Sequence, residues 1–101
     1  MLSYDVKKSG LVVRLTGELD HSAAEGLRRE LDGLIAETGA KKLLLDLSGL
    51  EFMDSSGIGL IIGRYKRLSR RGGSVAVAAP GRRIDQLFRM SGVYQVVERL
   101  A

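Results

Sequence analysis

The chain has 101 residues with no cysteine and a single histidine, which excludes a disulfide framework and a thiolate metal site and argues against a histidine-built metal centre or a Ser-His-Asp triad. Hydrophobic residues make up 45% and charged residues 28%, a globular balance at odds with disorder. The net charge of +4 reads first as a solvated surface slightly rich in arginine and second as attraction to an acidic partner; only 5% of residues are aromatic and no basic tail is present, which speaks against nucleic acid. No run approaches the ~20 apolar residues of a membrane span. The N-terminus lacks the apolar segment of a secretory leader, so the cytoplasm is the expected location.

In chain order, Ser3 to Lys8 alternates weakly and reads as a short edge strand, with a turn at Ser9-Gly10. Leu11 to Thr16 is β-branched and apolar, a second strand in a hairpin with the first. Asp20 or Ser22 caps a helix in which Ala24, Leu27, Leu31, Leu34 and Ile35 recur at helical spacing and which Gly39 stops. Leu43 to Leu47 is nearly continuous apolar, as in a strand covered on both faces. A second helix runs from about Ser56 to Arg70 and ends at Gly72-Gly73. Ser74 to Ala78 is another buried strand, Pro80-Gly81 opens a third helix carrying Ile84, Leu87 and Phe88, and Val96-Val97-Glu98 reads as a last short strand. The expected fold is α/β, one domain over residues 1–101, with a small mixed sheet packed by helices in the order β-β-α-β-α-β-α-β.

The second helix has an unusual face. At 100° per residue, Ile58, Ile61, Ile62, Tyr65 and Leu68 form the core stripe. Leu60 lies off that stripe among Arg64, Arg67 and Arg71, which predicts an exposed apolar anchor ringed by arginine, a composition enriched at interfaces. Gly59 and Gly63 sit one turn apart on a third sector. Each costs about 1 kcal/mol relative to alanine in a helix interior. Either a neighbouring element packs closely against them, or they leave a bare strip for a partner.

The most informative stretch is Leu50 to Gly59, where a buried strand gives way to a helix through Asp54-Ser55-Ser56-Gly57. Unpaired backbone N–H groups and the positive end of the helix dipole meet there, a favourable position for an anion. Gly57-Ile58-Gly59 and Gly63 superficially match a dinucleotide fingerprint, but the spacing is one residue too long. About 20 residues on, where an acid should meet the ribose, the chain reads Val77-Ala78. No lysine stands at P-loop spacing. A serine nucleophile would need a base, and His21, at a helix start, is the one conventional choice. An enzyme is therefore not expected. Two readings of Ser55 remain: an N-cap stabilising the helix by about 1 kcal/mol, or a phosphorylation target beside which Gly57 clears space for another protein's active site.

Phe52 to Gly59, continuing through Gly63-Arg64-Tyr65-Lys66, resembles the serine motif of STAS-domain anti-sigma factor antagonists (anti-anti-sigma factors), most of all those of the sporulation pathway. Leu15 to His21 and Arg83 to Gly92 match in the expected order, so the resemblance covers nearly the whole chain. It implies a small mixed sheet packed by helices and no resident cofactor or metal. It further implies an unphosphorylated form that binds an anti-sigma factor, which is itself a serine kinase using its own ATP and Mg²⁺. That binding frees a sigma factor. Phosphorylation at Ser55 would end the antagonism, and a PP2C-type serine phosphatase would restore it. The partner surface implied comprises Gly17, Glu18, Asp20, His21, Asp54, Ser55, Ser56 and Gly57, with Gly59, Leu60, Gly63, Arg64 and Arg67 added from the helix face. A stress-response antagonist with a different kinase and a nucleotide- or anion-sensing module are the alternatives.

Overall fold

The computed structural model describes residues 1–100. The elements are β1 (Leu2–Lys7), β2 (Gly10–Leu19), α1 (His21–Thr38), β3 (Lys42–Met53), α2 (Ser55–Ser69), β4 (Ser74–Ala78), α3 (Arg82–Ser91), a 3₁₀ turn (Val93–Gln95) and β5 (Glu98–Leu100). This is the α/β order expected from the sequence, with the 3₁₀ turn added.

One sheet is built in the order β1-β2-β3-β4-β5. The β1–β2 hairpin is antiparallel, and every later pair is parallel. Three successive crossovers advance in the same direction across the sheet. The right-handed rule therefore places α1, α2 and α3 on one face. Burial follows: Leu11, Val13 and Leu15 of β2, Leu43, Leu45 and Leu47 of β3, and Val75 and Val77 of β4 turn into the helix layer. Their alternates Val12, Leu44 and Ala76, aligned across the sheet, are only half-buried. The expectation that the Leu43 to Leu47 strand is covered on both faces is thus corrected: helices cover one face.

β2 and β3 run past the segments that alternation alone marks. Their register slips between Arg14 and Thr16 and again between Gly17 and Glu18, where β3 carries the extra residue each time. Bulges of this kind bend a strand and re-aim its end. They carry β3 on to Met53, directly beside Leu19 at the end of β2. The two following helices consequently start next to each other.

Asp20 caps α1, its Oδ1 accepting from the Ala23 N–H at 3.0 Å. Gly39 ends it in the left-handed region (φ 67°), its N–H returning to the Ile35 carbonyl at 3.0 Å. The last strand begins at Glu98 rather than Val96. Both valine N–H groups are spent on the Val93 carbonyl in the 3₁₀ turn, at 3.1 and 3.0 Å, and Val97 is buried while Val96 is exposed.

Candidate functional site

The N-termini of α1 and α2 meet at the carboxyl ends of β2 and β3. Asp54 is the residue that caps α2. Its backbone is extended (φ −112°, ψ −170°) and its Oδ1 accepts from the Ser56 N–H at 2.9 Å. Ser55 is therefore the first helical residue and not the cap. It is exposed, and among the described residues its hydroxyl makes no hydrogen bond within the chain. Ser56 is turned the other way, with Oγ 3.3 Å from Nδ1 of His21, which ties the two helix starts together. Asp20 accepts from the Ser22 hydroxyl (2.9 Å) and from the Ala23 N–H, and these bonds hold its carboxyl below the usual aspartate value. Glu18 is exposed, and Gly17 precedes it with φ 87°. Gly17, Glu18, Asp20, His21, Asp54, Ser55 and Ser56, the residues the resemblance groups together, thus lie on one rim.

Three expected surface residues lie elsewhere. Leu60 is only 5% exposed and Arg64 only 8%; the core stripe of α2 extends to both because α1 packs against that side. Helical periodicity places residues relative to one another but does not show how many neighbouring elements share the covered arc. Leu60 forms the floor of a shallow groove of about 210 Å³ between α1 and α2, walled by Ala24, Arg28 and Gly59 and closed at one end by His21 and Ser56. Gly57, expected to clear space outward, is buried: a Cβ there would lie 2.4 Å from Met53 Cγ and 3.2 Å from Leu19 Cδ2. Its missing side chain lets the first turn of α2 seat on the ends of β2 and β3.

Arg64 points at α1. Its Nε lies 3.1 Å from Oδ1 of Asp32, close enough for an ion pair but not aligned as a hydrogen bond, and Nη1 is buried with no partner. Removal from water lowers the Arg64 pKa. The same carboxylate takes Arg67 at 3.6 Å and Arg28 at 3.4 Å. Asp32 therefore organises three arginines between the helices. Asp32 is not among the residues the sequence singles out; its place next to the Leu27, Leu31, Ile35 stripe was the available signal.

The close-packing reading of Gly59 and Gly63 does not hold. A Cβ at either position would meet no atom within 4 Å. No neighbouring element needs them to be glycine. They leave a strip of bare helix leading away from Ser55, with the half-exposed Arg67 at its far end. Among the described residues no cluster of three or more His, Asp or Glu is arranged to hold a metal, and no helix is long and apolar enough to cross a membrane.

Comparison with known proteins agrees with this fold. The STAS domain model matches residues 2–101. The anti-sigma F factor antagonist of Paenibacillus polymyxa is 40% identical over 87 residues, covering 86% of this chain and 74% of that protein. The anti-sigma factor antagonist SpoIIAA in its unphosphorylated form superposes with a TM-score of 0.79 at 27% identity, over 100% of this chain and 88% of that one. The Bacillus cell fate determinant SpoIIAA in the phosphorylated form superposes with a TM-score of 0.77 at 29% identity, over 100% and 92%. The chain belongs to the STAS domain family, among its anti-sigma factor antagonists. These are regulatory binding proteins rather than enzymes.

Proposed function

We propose that this chain is a phosphorylation-switched anti-anti-sigma factor acting in the cytoplasm. Its unmodified form binds an anti-sigma factor that is also a serine kinase, and the sigma factor is released. The kinase, with its own ATP and Mg²⁺, transfers a phosphoryl group to the Ser55 hydroxyl, and a PP2C-type phosphatase removes it. The observation that carries this reading is the state of Ser55: exposed, its hydroxyl without a hydrogen bond among the described residues, and held at the first turn of α2 by a cap that belongs to its neighbour.

The division of labour between Asp54 and Ser55 matters. If Ser55 were the cap, phosphorylation would remove a helix-stabilising bond. With Asp54 as the cap, the hydroxyl can be modified while the 2.9 Å bond to Ser56 stays in place. Phosphate adds roughly −1.5 to −2 charges near neutral pH, and the positive end of the helix dipole tolerates them. The partner tolerates them less. A surface fitted to a neutral hydroxyl must desolvate a dianion, beside Asp54 and near Asp20. A penalty of about 3 kcal/mol lowers affinity roughly a hundredfold, enough for a switch.

The docking surface on this reading is the rim from Gly17 through His21 and from Asp54 through Ser56, continued along the bare strip at Gly59 and Gly63 to Arg67. The test is calorimetric titration against the candidate kinase, with phosphopeptide mass spectrometry after incubation with ATP. Ser55→Ala is expected to bind normally and take no phosphate, and Ser55→Asp to stay folded and bind about a hundredfold more weakly. Equal affinity of wild type and Ser55→Asp, or label on Ser56 in the Ser55→Ala variant, would refute the assignment.

A further inference from the structure

A second groove runs along the outer edge of the sheet, between β1 and the C-terminal half of α1, away from the Ser55 rim. Among the described residues β1 pairs with β2 alone and forms an edge of the sheet. The bond from the Thr16 N–H to the Met1 carbonyl, 2.9 Å, makes Leu2 and Leu15 a non-hydrogen-bonded pair of the antiparallel ladder. With a period of two, Leu2, Tyr4 and Val6 therefore turn both N–H and C=O outward, away from β2. Their side chains share the helix-side face. Leu2 and Tyr4 line a 240 Å³ cavity with Leu34 of α1, and Val6 lines an adjoining 390 Å³ cavity with Thr38. Tyr4 is 47% exposed and Val6 61%. Natural sheets usually shield such an edge with charge, proline or a covering element; here the apolar side chains and the unpaired backbone groups lie together in the open.

The second cavity is closed by Lys7, Lys8, Lys41 and Lys42. Among the described residues none of these four forms an ion pair. Four unneutralised cations at one end of an apolar edge create a local positive potential that an anionic occupant relieves.

We propose that the β1 edge is a docking site for an extended segment of a partner protein that is apolar at alternate positions and acidic at one end. The segment adds to the five-stranded sheet as a further strand, with its apolar side chains on Tyr4, Val6 and Leu34 and its acidic end over the lysines. The alternating outward N–H and C=O groups select a polypeptide over a nucleic acid or a lipid surface, since only a strand can match them. Charge selects a foreign segment over a second copy of this chain, because an antiparallel β1–β1 pairing would leave both lysine clusters unneutralised.

The test is a titration of ¹⁵N-labelled protein with a peptide of three glutamates followed by alternating valine and threonine, read by amide chemical shifts. Shifts are expected at Tyr4, Val6 and the Thr38 to Lys42 segment, with the Ser55 region unmoved. Val6→Pro removes an outward N–H without touching the β2 ladder and is expected to weaken binding at least about tenfold. The double variant Lys8→Glu, Lys41→Glu, which leaves the edge backbone alone, is expected to do the same and to flatten the salt dependence. No shift at about 1 mM peptide would overturn the proposal. So would binding indifferent to Val6→Pro and matched by a uridine oligomer or by phosphatidylserine vesicles, which would make this a plain polyanion patch. Concentration-dependent dimerisation in sedimentation equilibrium that Val6→Pro abolishes would also overturn it and assign the edge to a second copy.

Discussion

Replacing Gly59 and Gly63 by alanine separates stability from recognition on one helix. Both glycines lie inside α2, and a Cβ at either site has no neighbour within 4 Å. The added methyl groups therefore meet no steric penalty and remove the helix-propensity deficit, about 1 kcal/mol at each site. The two changes should be nearly additive at about 2 kcal/mol, since they share no packing partner. For a domain of this size each kcal/mol moves the melting temperature by roughly 4–8 °C, so the double variant is expected to melt about 8–16 °C higher. If the strip is a docking surface, the same methyl groups hold a partner's backbone away. The expected loss is about 1–3 kcal/mol, by analogy with overpacking in a fitted interior, or roughly 5- to 150-fold in affinity for the anti-sigma factor. Differential scanning calorimetry and isothermal titration read the two effects on one sample. An unchanged melting temperature would refute the open-surface geometry. A raised melting temperature with unchanged affinity would refute the docking role and leave the two glycines without a function.

Gly57→Ala is expected to act with the opposite sign. The new Cβ would overlap Met53 Cγ at 2.4 Å and Sδ at 2.7 Å, and the methionine's flexibility limits the destabilisation to about 1–3 kcal/mol in urea unfolding; a neutral result would show that Met53 has free room. Asp32→Ala strands Arg64, which is 8% exposed, without its carboxylate and is expected to destabilise by about 3–5 kcal/mol, whereas Arg64→Met, with Arg28 and Arg67 still on Asp32, should be much milder by the same denaturation assay. The Asp20 carboxyl is held below its ordinary value of 3.8 by the Ser22 hydroxyl and the Ala23 N–H. Its contribution to the start of α1 is therefore fully present above about pH 4 and lost as pH falls through the lowered folded-state value. A ¹³C titration of the Asp20 carboxyl should find its midpoint below 3.8, and a midpoint at or above that value would remove the cap from the account.

The element order was legible because apolar periodicity and punctuation agreed at nearly every boundary: Ser9-Gly10 at the hairpin, Asp20 before α1, Gly39 after it, Gly72-Gly73 after α2. Strand lengths were less legible. Alternation in β3 stops at Leu47, and the two bulges that carry the pairing to Met53 leave buried positions at Leu50 and Met53, three apart, which no period-two template recognises. The rim around Ser55 was grouped by the resemblance and not by capping: the sequence makes Ser55 the cap candidate, and the structure gives that role to Asp54, which bonds an N–H two residues away. Leu60 and Arg64 were illegible for a tertiary reason. Their burial depends on where α1 lands, and that follows from the sheet order and crossover hand, not from any pattern inside α2. A buried arginine also looks like a surface arginine until its acid is found, and Asp32 lies on another helix.

The same contacts bear on how a phosphate at Ser55 would be read. A phosphoserine can act by capturing nearby arginines and refolding the segment that bears them, or by changing the surface a partner meets. Capture needs free cations. In the α1–α2 groove Arg28 is paired with Glu25 and Asp32, Arg64 is buried against Asp32, and Arg67 shares the same carboxylate. Pulling Arg64 outward would leave Asp32 short of a partner and expose the apolar wall beside Leu60. His21 is engaged with Ser56. The groove therefore offers no idle cation, whereas the helix start already suits an anion. On the proposed reading the modification changes charge and bulk at the rim while the backbone stays where it is, so amide shifts on phosphorylation should be confined to the first turn of α2 and the Asp20–His21 segment. Shifts spreading to Asp32 and Arg64 would show that an arginine had been recruited and that the switch works through shape.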